Sequence, residues 1–241
     1  MAETATPTYP SEDPTSTNAP SGAANLGDAH ATATDALPLP ETQRKVADHT
    51  VLDRHGKEHL FKSLYSGDAA RVLVIFVRHF FCGSCQDFLS NLSQSIKPDD
   101  LSRLPTSTSI VIVGCGDPAL IDMYATDTGC PFPMYSDPTR KLYDELGMTR
   151  SLAQGSRPTY IRRSFVSIVG QSIMQALRQI PNGLATKGGP SNQIGGEFLF
   201  EVRGEGGEGG ERGITWCHRM ENTRDHTEVA DLARLLELRG D

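Results

Sequence analysis

The sequence predicts an α/β domain built on a mixed β-sheet with helices on both faces. Two nearly all-apolar runs, Arg71–Val77 and Ser109–Gly114, are typical of strands buried on both faces. Segments with helical spacing of apolar residues follow each run, and this alternation indicates parallel βαβ units. Later, Glu197–Val202 and Gly213–His218 flank a loop rich in Gly and Glu, which predicts an added antiparallel hairpin.

The first half of the chain gives its elements in a clear order. Val51–Tyr65 predicts a short hairpin that turns at His55-Gly56, followed by a helical turn. After the first buried strand, Gln86–Ile96 carries apolar residues at helical spacing and is followed by Pro98. After the second strand, a helix is expected over Pro118–Gly129, because it opens with Pro and closes with Gly.

The second half predicts three further helices. Ser136–Gly147 has Asp137 as a candidate N-cap and a terminal Gly. Residues 155–196 predict one helix and a long Gly-rich loop, and a long loop in a compact domain is usually functional or disordered. His226–Gly240 has an apolar stripe and predicts an amphipathic closing helix.

The charge of the chain bears on its partners. The net charge is −7 and the pI about 5.5, so no basic excess is available to neutralise phosphates. We therefore expect neither nucleic acid nor a membrane surface as the main partner. No apolar run approaches the roughly 20 residues that span a bilayer.

The N-terminal segment differs in composition from the rest. Residues 1–43 are rich in Ala, Thr, Pro, Ser and Asp and show no apolar periodicity, so we expect a disordered acidic tail before a domain over residues 44–241. The first 20 residues have neither the basic nor the apolar region of a secretory signal. No Lys or Arg precedes Arg44, which also disfavours a transit peptide, and a cytoplasmic location is expected.

Five cysteines are present, and two of them form a Cys-x-x-Cys pair, Cys82 and Cys85. The pair follows a buried strand and precedes a helix, where unpaired backbone N–H groups and the helix dipole favour a thiolate. Arg78 and His79 lie just before the pair and can add positive charge. A lowered thiol pKa and a reactive sulfur are expected, with the two sulfurs close enough to form a disulfide.

Other interpretations of the pair stay open. A zinc site needs four ligands, usually from a second spaced pair, whereas Cys217 and His218 are adjacent, and Cys115 and Cys130 stand alone. Free cysteines can also be small buried hydrophobes without a chemical role. His218 could contact the active site, although a structural role is the more common one for such a residue.

Several segments, in their order along the chain, resemble the AhpC/TSA-type peroxiredoxin-like family. They are FVRHFFCGSC, VGCGDPALI, PFPMYSDPTRKLYDELGM, GGEFLF and WCHRMENTRDH. The resemblance covers about Val46 to Leu238 and implies a thioredoxin-like fold with thiol redox activity. A later Arg often helps to bind peroxide in this fold, and Arg157 and Arg140 are the candidates here.

One motif of that family is altered. Peroxiredoxins carry Pro-x-x-x-Thr-x-x-Cys, whose last residue attacks peroxide; on this pattern Arg78 stands at the Pro place, Cys82 at the Thr place and Cys85 at the attacking place. The thioredoxin pattern instead makes Cys82 the nucleophile and Cys85 the resolving thiol. We favour Cys82 as the nucleophile, because the first sulfur of such a pair is usually the more exposed.

The predicted function is that of a thiol oxidoreductase that reduces peroxides or disulfides through Cys82 and Cys85, with Arg78, His79 and Arg157 stabilising the thiolate. An external thiol reductant such as thioredoxin or glutathione would complete the cycle. The sequence implies no nucleotide, flavin or metal cofactor. Three alternatives remain: a redox regulator that is not a peroxidase, a non-catalytic binding protein on a thioredoxin scaffold, and an enzyme of a specialised metabolic pathway.

Overall fold

A computed structural model describes residues 35–161, 165–202 and 212–238, with only the backbone described at residues 165 and 166. In these residues a seven-stranded sheet has the order β2-β1-β5-β4-β3-β6-β7. The strands are β1 (Thr50–Leu52), β2 (Glu58–Leu60), β3 (Arg71–Phe76), β4 (Thr108–Gly114), β5 (Met134–Ser136), β6 (Gly196–Val202) and β7 (Arg212–Arg219). The pairs β3–β4 and β4–β5 are parallel, and the other pairs are antiparallel. The sheet is therefore mixed, as the sequence predicted.

Seven α-helices flank the sheet in the described residues. They are α1 (Pro40–Ala47), α2 (Gly83–Ser95), α3 (Pro98–Ser102), α4 (Ile121–Thr128), α5 (Lys141–Glu145), α6 (Phe165–Arg178) and α7 (Val229–Leu235). Single 3-10 turns lie at Phe61–Leu64 and Pro118–Leu120. Within the described ranges, no helix is long and apolar enough to cross a membrane.

The alternation of side chains along the central strand β3 divides the core into two clusters. Leu73 and Ile75 pack with residues of α2, α4, α6 and α7 on one face. Val72, Val74 and Phe76 pack on the other face with residues of α1, α5 and the 3-10 turn after β2. Every residue of β3 is buried, which confirms the prediction of a strand covered on both faces.

Most predicted elements of the first half are confirmed. The hairpin β1–β2 turns through Gly56, whose φ of +76° suits a residue without a side chain. Helix α2 starts at Gly83, three residues before the predicted start, and this change places Cys82 at its N-cap. In Pro118–Gly129 a 3-10 turn precedes α4, and Gly129 ends the helix in the left-handed conformation.

Other predicted bounds are wrong. The helix expected over Ser136–Gly147 is only α5, because Met134–Ser136 pairs with β4 as strand β5. Asp137 still holds the helix start, since its carboxylate accepts the N–H groups of Arg140 and Leu142. The closing helix begins at Val229, and His226 lies before it.

A helix that the sequence analysis did not predict precedes the first strand. Helix α1 begins at Pro40, four residues before the expected domain start at residue 44, and buries Val46. The Gln43 side chain accepts the N–H of Ile214 on β7, so this helix is tied to the sheet. The tail predicted for residues 1–43 lies outside the described residues up to residue 34, as does the loop between β6 and β7, residues 203–211.

The pairing of β3 with β6 positions the site. The register sets Ile75 opposite Glu197 and Phe76 opposite Gly196. At Gly195 a Cβ atom would lie 1.9 Å from the Phe76 carbonyl oxygen, so only glycine allows the two backbones to meet here. Glu197 thus enters the sheet beside the carboxyl end of β3, just before the segment that leads to the cysteines.

Candidate active site

The first sulfur of the pair caps helix α2. Cys82 has the extended backbone of an N-cap residue, and its Sγ accepts the backbone N–H of Cys85 at 3.4 Å. The Arg78 guanidinium donates to the same sulfur, with Nη1 3.1 Å from Sγ. Cys82 is 4% exposed and Cys85 is fully buried. This environment can stabilise a negative charge on Cys82.

Arg78 is held in place by the loop before β6. Its Nε donates to the Gln193 carbonyl at 3.1 Å, and Nη2 donates to the Ser191 carbonyl. The Arg78 side chain is buried, and the two carbonyls together with Cys82 Sγ fix the orientation of its planar guanidinium. The guanidinium therefore occupies a fixed position beside the sulfur.

The two thiols have opposite electrostatic surroundings. Burial alone would raise the pKa of Cys82, but a hydrogen bond from Cys85 and the Arg78 charge outweigh it and hold that pKa well below its ordinary value. Burial raises the pKa of Cys85 well above its ordinary value, and the hydrogen bond to Cys82 and the charge on Cys82 raise it further. The pair thus favours a thiolate at Cys82 and a thiol at Cys85.

His79 contributes less than Arg78 to this balance. Burial lowers the pKa of His79, the adjacent Arg78 charge lowers it too, and only the Cys82 charge raises it. An imidazole with a lowered pKa is mostly neutral near neutral pH, so it adds little positive charge. The fixed charge beside Cys82 is that of Arg78.

Behind the second sulfur lies a buried histidine and carboxylate. His226 Nε2 is 3.3 Å from Cys85 Sγ, and His226 Nδ1 is 2.6 Å from Glu197 Oε1. Both side chains are 0% exposed. Thr227 donates its hydroxyl to the other carboxylate oxygen of Glu197 at 3.0 Å. Cys85, His226 and Glu197 thus form a continuous row from the helix to the sheet.

Packing fixes the imidazole ring of His226. Phe88 on α2 stacks on it, with ring centroids 4.2 Å apart and planes 7° from parallel. The Tyr160 hydroxyl accepts the His226 backbone N–H at 3.2 Å and donates to the Arg224 carbonyl at 2.8 Å. The ring therefore has one orientation relative to Cys85.

Helix α6 covers the start of α2. A Cβ at Gly83 would lie 2.5 Å from Ile168 Cγ2, so the glycine between the cysteines allows α6 to approach closely. The amide of Gln86 bonds that of Gln175 on α6, and Gln175 also donates to Asp127 on α4 at 2.9 Å. These bonds tie three helices together over the cysteine pair.

The Gly-rich loop after α6 lies against the strand ends. The Gly188 carbonyl accepts the N–H of Phe80 at 2.9 Å, and a Cβ on Gly188 would collide with the Phe81 ring. Cys115 donates its thiol to the Arg78 carbonyl at 2.9 Å, and burial raises the pKa of Cys115 to about 12. Cys115 therefore packs beside the site as an unreactive thiol.

Two other candidates have hydrogen-bond partners of their own. Arg157 is exposed, and its Nε donates to the Ile161 carbonyl at 3.0 Å; its role beside the thiolate stays a prediction. His218 bonds Asp35 and the Asp225 carbonyl instead of a cysteine. All five cysteines are free thiols. Across the described parts of the chain, no three His, Cys, Asp or Glu side chains converge as ligands of a metal.

Sequence reasoning missed Glu197 and His226. The sequence pattern places Glu197 at the start of an apolar strand and His226 at the start of the closing helix, and gives neither residue a role in the site. Glu197 and Glu201 flank Phe-Leu-Phe, and a carboxylate next to such an apolar run is a usable signal, because a buried charge needs a partner. No sequence signal indicates that the partner is His226, since the two positions are 29 residues apart along the chain.

Comparisons with known proteins agree with this architecture. The family model of the AhpC/TSA antioxidant enzyme matches residues 91–222, and this range starts after Cys85. Peroxiredoxin-like 2C of Takifugu rubripes is 28% identical over 192 residues, which cover 79% of each chain. Peroxiredoxin-like 2C of Homo sapiens is 27% identical over 199 residues, which cover 79% of this chain and 78% of that one.

A solved structure gives the fold. The bacterioferritin comigratory protein of Xanthomonas campestris, a protein with alkyl peroxide reduction activity, superposes with a TM-score of 0.50 at 11% identity, covering 88% of this chain and 100% of that chain. The predicted thioredoxin-like fold is confirmed. The chain belongs to the AhpC/TSA antioxidant enzyme family, and it is a thiol-dependent redox protein.

Proposed function

We propose that the protein is an oxidoreductase that uses Cys82 and Cys85 to reduce peroxides or disulfides, with Cys82 as the attacking sulfur. The observation that carries this proposal is the Arg78 guanidinium 3.1 Å from Cys82 Sγ, at the N-terminus of α2. Both features stabilise a thiolate, which is the nucleophilic form of cysteine. Cys82 is also the more exposed of the two cysteines, 4% against 0% for Cys85, so a substrate reaches it first.

With a peroxide, the Cys82 thiolate attacks one oxygen and the O–O bond breaks. The sulfur becomes a sulfenic acid, and the departing alkoxide takes up a proton to leave as an alcohol. Cys85 then displaces the hydroxyl group of the sulfenic acid, which leaves as water, and a Cys82–Cys85 disulfide forms. An external thiol reductant, such as thioredoxin or glutathione, reduces that disulfide and restores both thiols.

Reduction of a disulfide is the second candidate, and the altered family motif favours it. Cys82 fills the place of the Thr that accompanies the attacking Cys in peroxiredoxins, so that hydroxyl is missing. In this reaction Cys82 attacks one sulfur of the substrate and forms a mixed disulfide, with release of one substrate thiolate. Cys85 attacks Cys82 in turn and releases the second substrate thiol.

A pair of assays separates these reactions. We would follow peroxide consumption coupled to thioredoxin, its reductase and NADPH, and in parallel the reduction of a model disulfide. The wild-type protein should turn over in at least one assay, and Cys82→Ser should abolish turnover in that assay. Cys115→Ser is the matched control, because this buried cysteine lies beside the site, and it should retain turnover. A wild type inactive in both assays would refute the proposal and favour a non-catalytic binding protein.

A further inference from the structure

The buried row Cys85–His226–Glu197 is not needed to generate the Cys82 thiolate, because Arg78 donates to Cys82 whereas His226 contacts Cys85. We propose that His226 is the general base of the resolving step: it removes the proton of Cys85 when Cys85 attacks the oxidised Cys82, and Glu197 is its positioning residue. This inference rests on the proposed function and deepens it. It concerns the second chemical step only.

The hydrogen bonds around Glu197 favour one position for the imidazole proton. Glu197 accepts the Thr227 hydroxyl at one oxygen, and its Oε1 lies 2.6 Å from His226 Nδ1, so an accepting carboxylate places the proton on Nδ1. The lone pair of Nε2 is then directed at Cys85 Sγ, 3.3 Å away. This is the arrangement of a base that is poised to take a thiol proton.

The state of Cys82 decides when this proton moves. In the reduced pair, the Cys85 thiol donates a hydrogen bond to the Cys82 thiolate. This hydrogen bond and the Cys82 charge add to burial in raising the pKa of Cys85. Once Cys82 carries a sulfenic acid or a mixed disulfide, its negative charge is gone. Nε2 of His226 is then the acceptor that remains next to Cys85. The proton relay formed by Cys85, His226 and Glu197 therefore acts after the first step and not before it.

The atoms balance in both reactions. Cys85 forms the S–S bond to Cys82 while the S–O bond, or the S–S bond to the substrate, breaks. The proton passes from Cys85 Sγ to His226 Nε2. It is then returned to the departing hydroxide, which leaves as water, or to the departing thiolate, which leaves as a thiol.

The surroundings of the ring favour this role over simple packing. Among the described residues, the groups that contact His226 are Cys85 and Phe88 from α2, Glu197 from β6, and Tyr160 from the loop before α6, and Thr227 in turn donates to Glu197. Placing a carboxylate and an imidazole at 0% exposure has a desolvation cost that an apolar core pair would avoid. The stacked Phe88 keeps the ring from turning away from the sulfur.

A two-phase reaction with dithiodipyridine isolates the step. Attack by Cys82 releases one thiopyridone and leaves a mixed disulfide; attack by Cys85 then releases the second. Thiopyridone leaves without needing a proton, so the second phase reports proton removal from Cys85. Rapid mixing of the reduced full-length protein with the reagent resolves both phases by absorbance, and peptide mapping assigns the sulfurs.

We expect His226→Gln to slow the second phase by about 100-fold at neutral pH and to leave the first phase within twofold. The slowed phase should recover as pH rises, because hydroxide replaces the missing base. Glu197→Gln should slow it by about tenfold, and the double variant should be no slower than His226→Gln, since Glu197 acts through His226. His59→Gln, which alters a histidine bonded to Asp53 away from the site, should change neither phase.

The outcomes distinguish a failure of the proposed function from a failure of the relay alone. A wild type without a first phase would overturn the proposed function and this inference with it. A normal first phase with an unchanged second phase in His226→Gln would overturn the relay alone. If either variant unfolds, the wild-type rates in water and in deuterated water test the relay instead. Proton transfer to His226 predicts a slower second phase in deuterated water and an unchanged first phase. Equal second-phase rates in both solvents would refute the relay.

Discussion

Replacement of Arg78 by Met tests the electrostatic basis of the site. The change removes the only described guanidinium hydrogen bond to Cys82, at 3.1 Å, and keeps a long buried side chain. A hydrogen bond to a charged group contributes about 1.5–3 kcal/mol. Since one pKa unit corresponds to about 1.4 kcal/mol, the pKa of Cys82 should rise by about one to two units.

The pKa of Cys82 can be followed by the rate of alkylation with iodoacetamide across a pH series, with peptide mapping to assign the sulfur. Arg71→Met is the matched control. Arg71 lies at the start of the same strand, is 6% exposed like Arg78, and bonds Thr108 and the Leu236 carbonyl, away from the cysteines. An unchanged profile in Arg78→Met, or an equal shift in Arg71→Met, would refute the argument.

Two further predictions concern stability. Gly195→Ala brings a Cβ to 1.9 Å from the Phe76 carbonyl oxygen and must separate β3 from the chain before β6. Thermal denaturation of this variant should show a midpoint lowered by several degrees. Gly67→Ala is the control, because open space surrounds Gly67, and equal midpoints in the two variants would contradict the close approach. Burial opposes the protonation of His218, but Glu197, Asp225 and Asp35 outweigh it and raise its pKa. The stabilisation from His218 is therefore present below the ordinary histidine pKa of about 6.5 and is lost as pH rises through the raised pKa. Urea unfolding should show a larger loss of stability for His218→Gln at low pH than at high pH, and a loss independent of pH would contradict the assignment.

The strongest parts of the fold were predictable because they follow from local pattern. The all-apolar run of β3 and the helix that starts at the cysteines are written in consecutive residues. The three-residue strand β5 was missed, since only its pairing with β4 and β1 makes Met134–Ser136 a strand. Helix α1 was missed because it has a single buried residue, Val46, and is secured by its contact with β7.

The site residues show the same contrast between local sequence pattern and contacts that are distant along the chain. Arg78, Cys82 and Cys85 lie within eight residues, so their proximity follows from a strand, a turn and a helix start. Glu197 and His226 lie far along the chain from Cys85. The antiparallel addition of β6 beside β3 positions Glu197, and the loop before α7 places His226 between Glu197 and Cys85. The sequence therefore indicated the two cysteines and the Arg78 charge beside them, but it did not indicate the contact of His226 and Glu197 with Cys85.

The central claim is that Cys82 attacks and Cys85 resolves, and trapping of the sulfenic acid tests it most directly. Cys85→Ser and Cys82→Ser are each treated with a small excess of peroxide in the presence of dimedone and then analysed by peptide mass spectrometry. We expect an adduct on Cys82 in Cys85→Ser and none on Cys85 in Cys82→Ser. An adduct on Cys85 in Cys82→Ser, with Cys82 unmodified in the reciprocal variant, would contradict it.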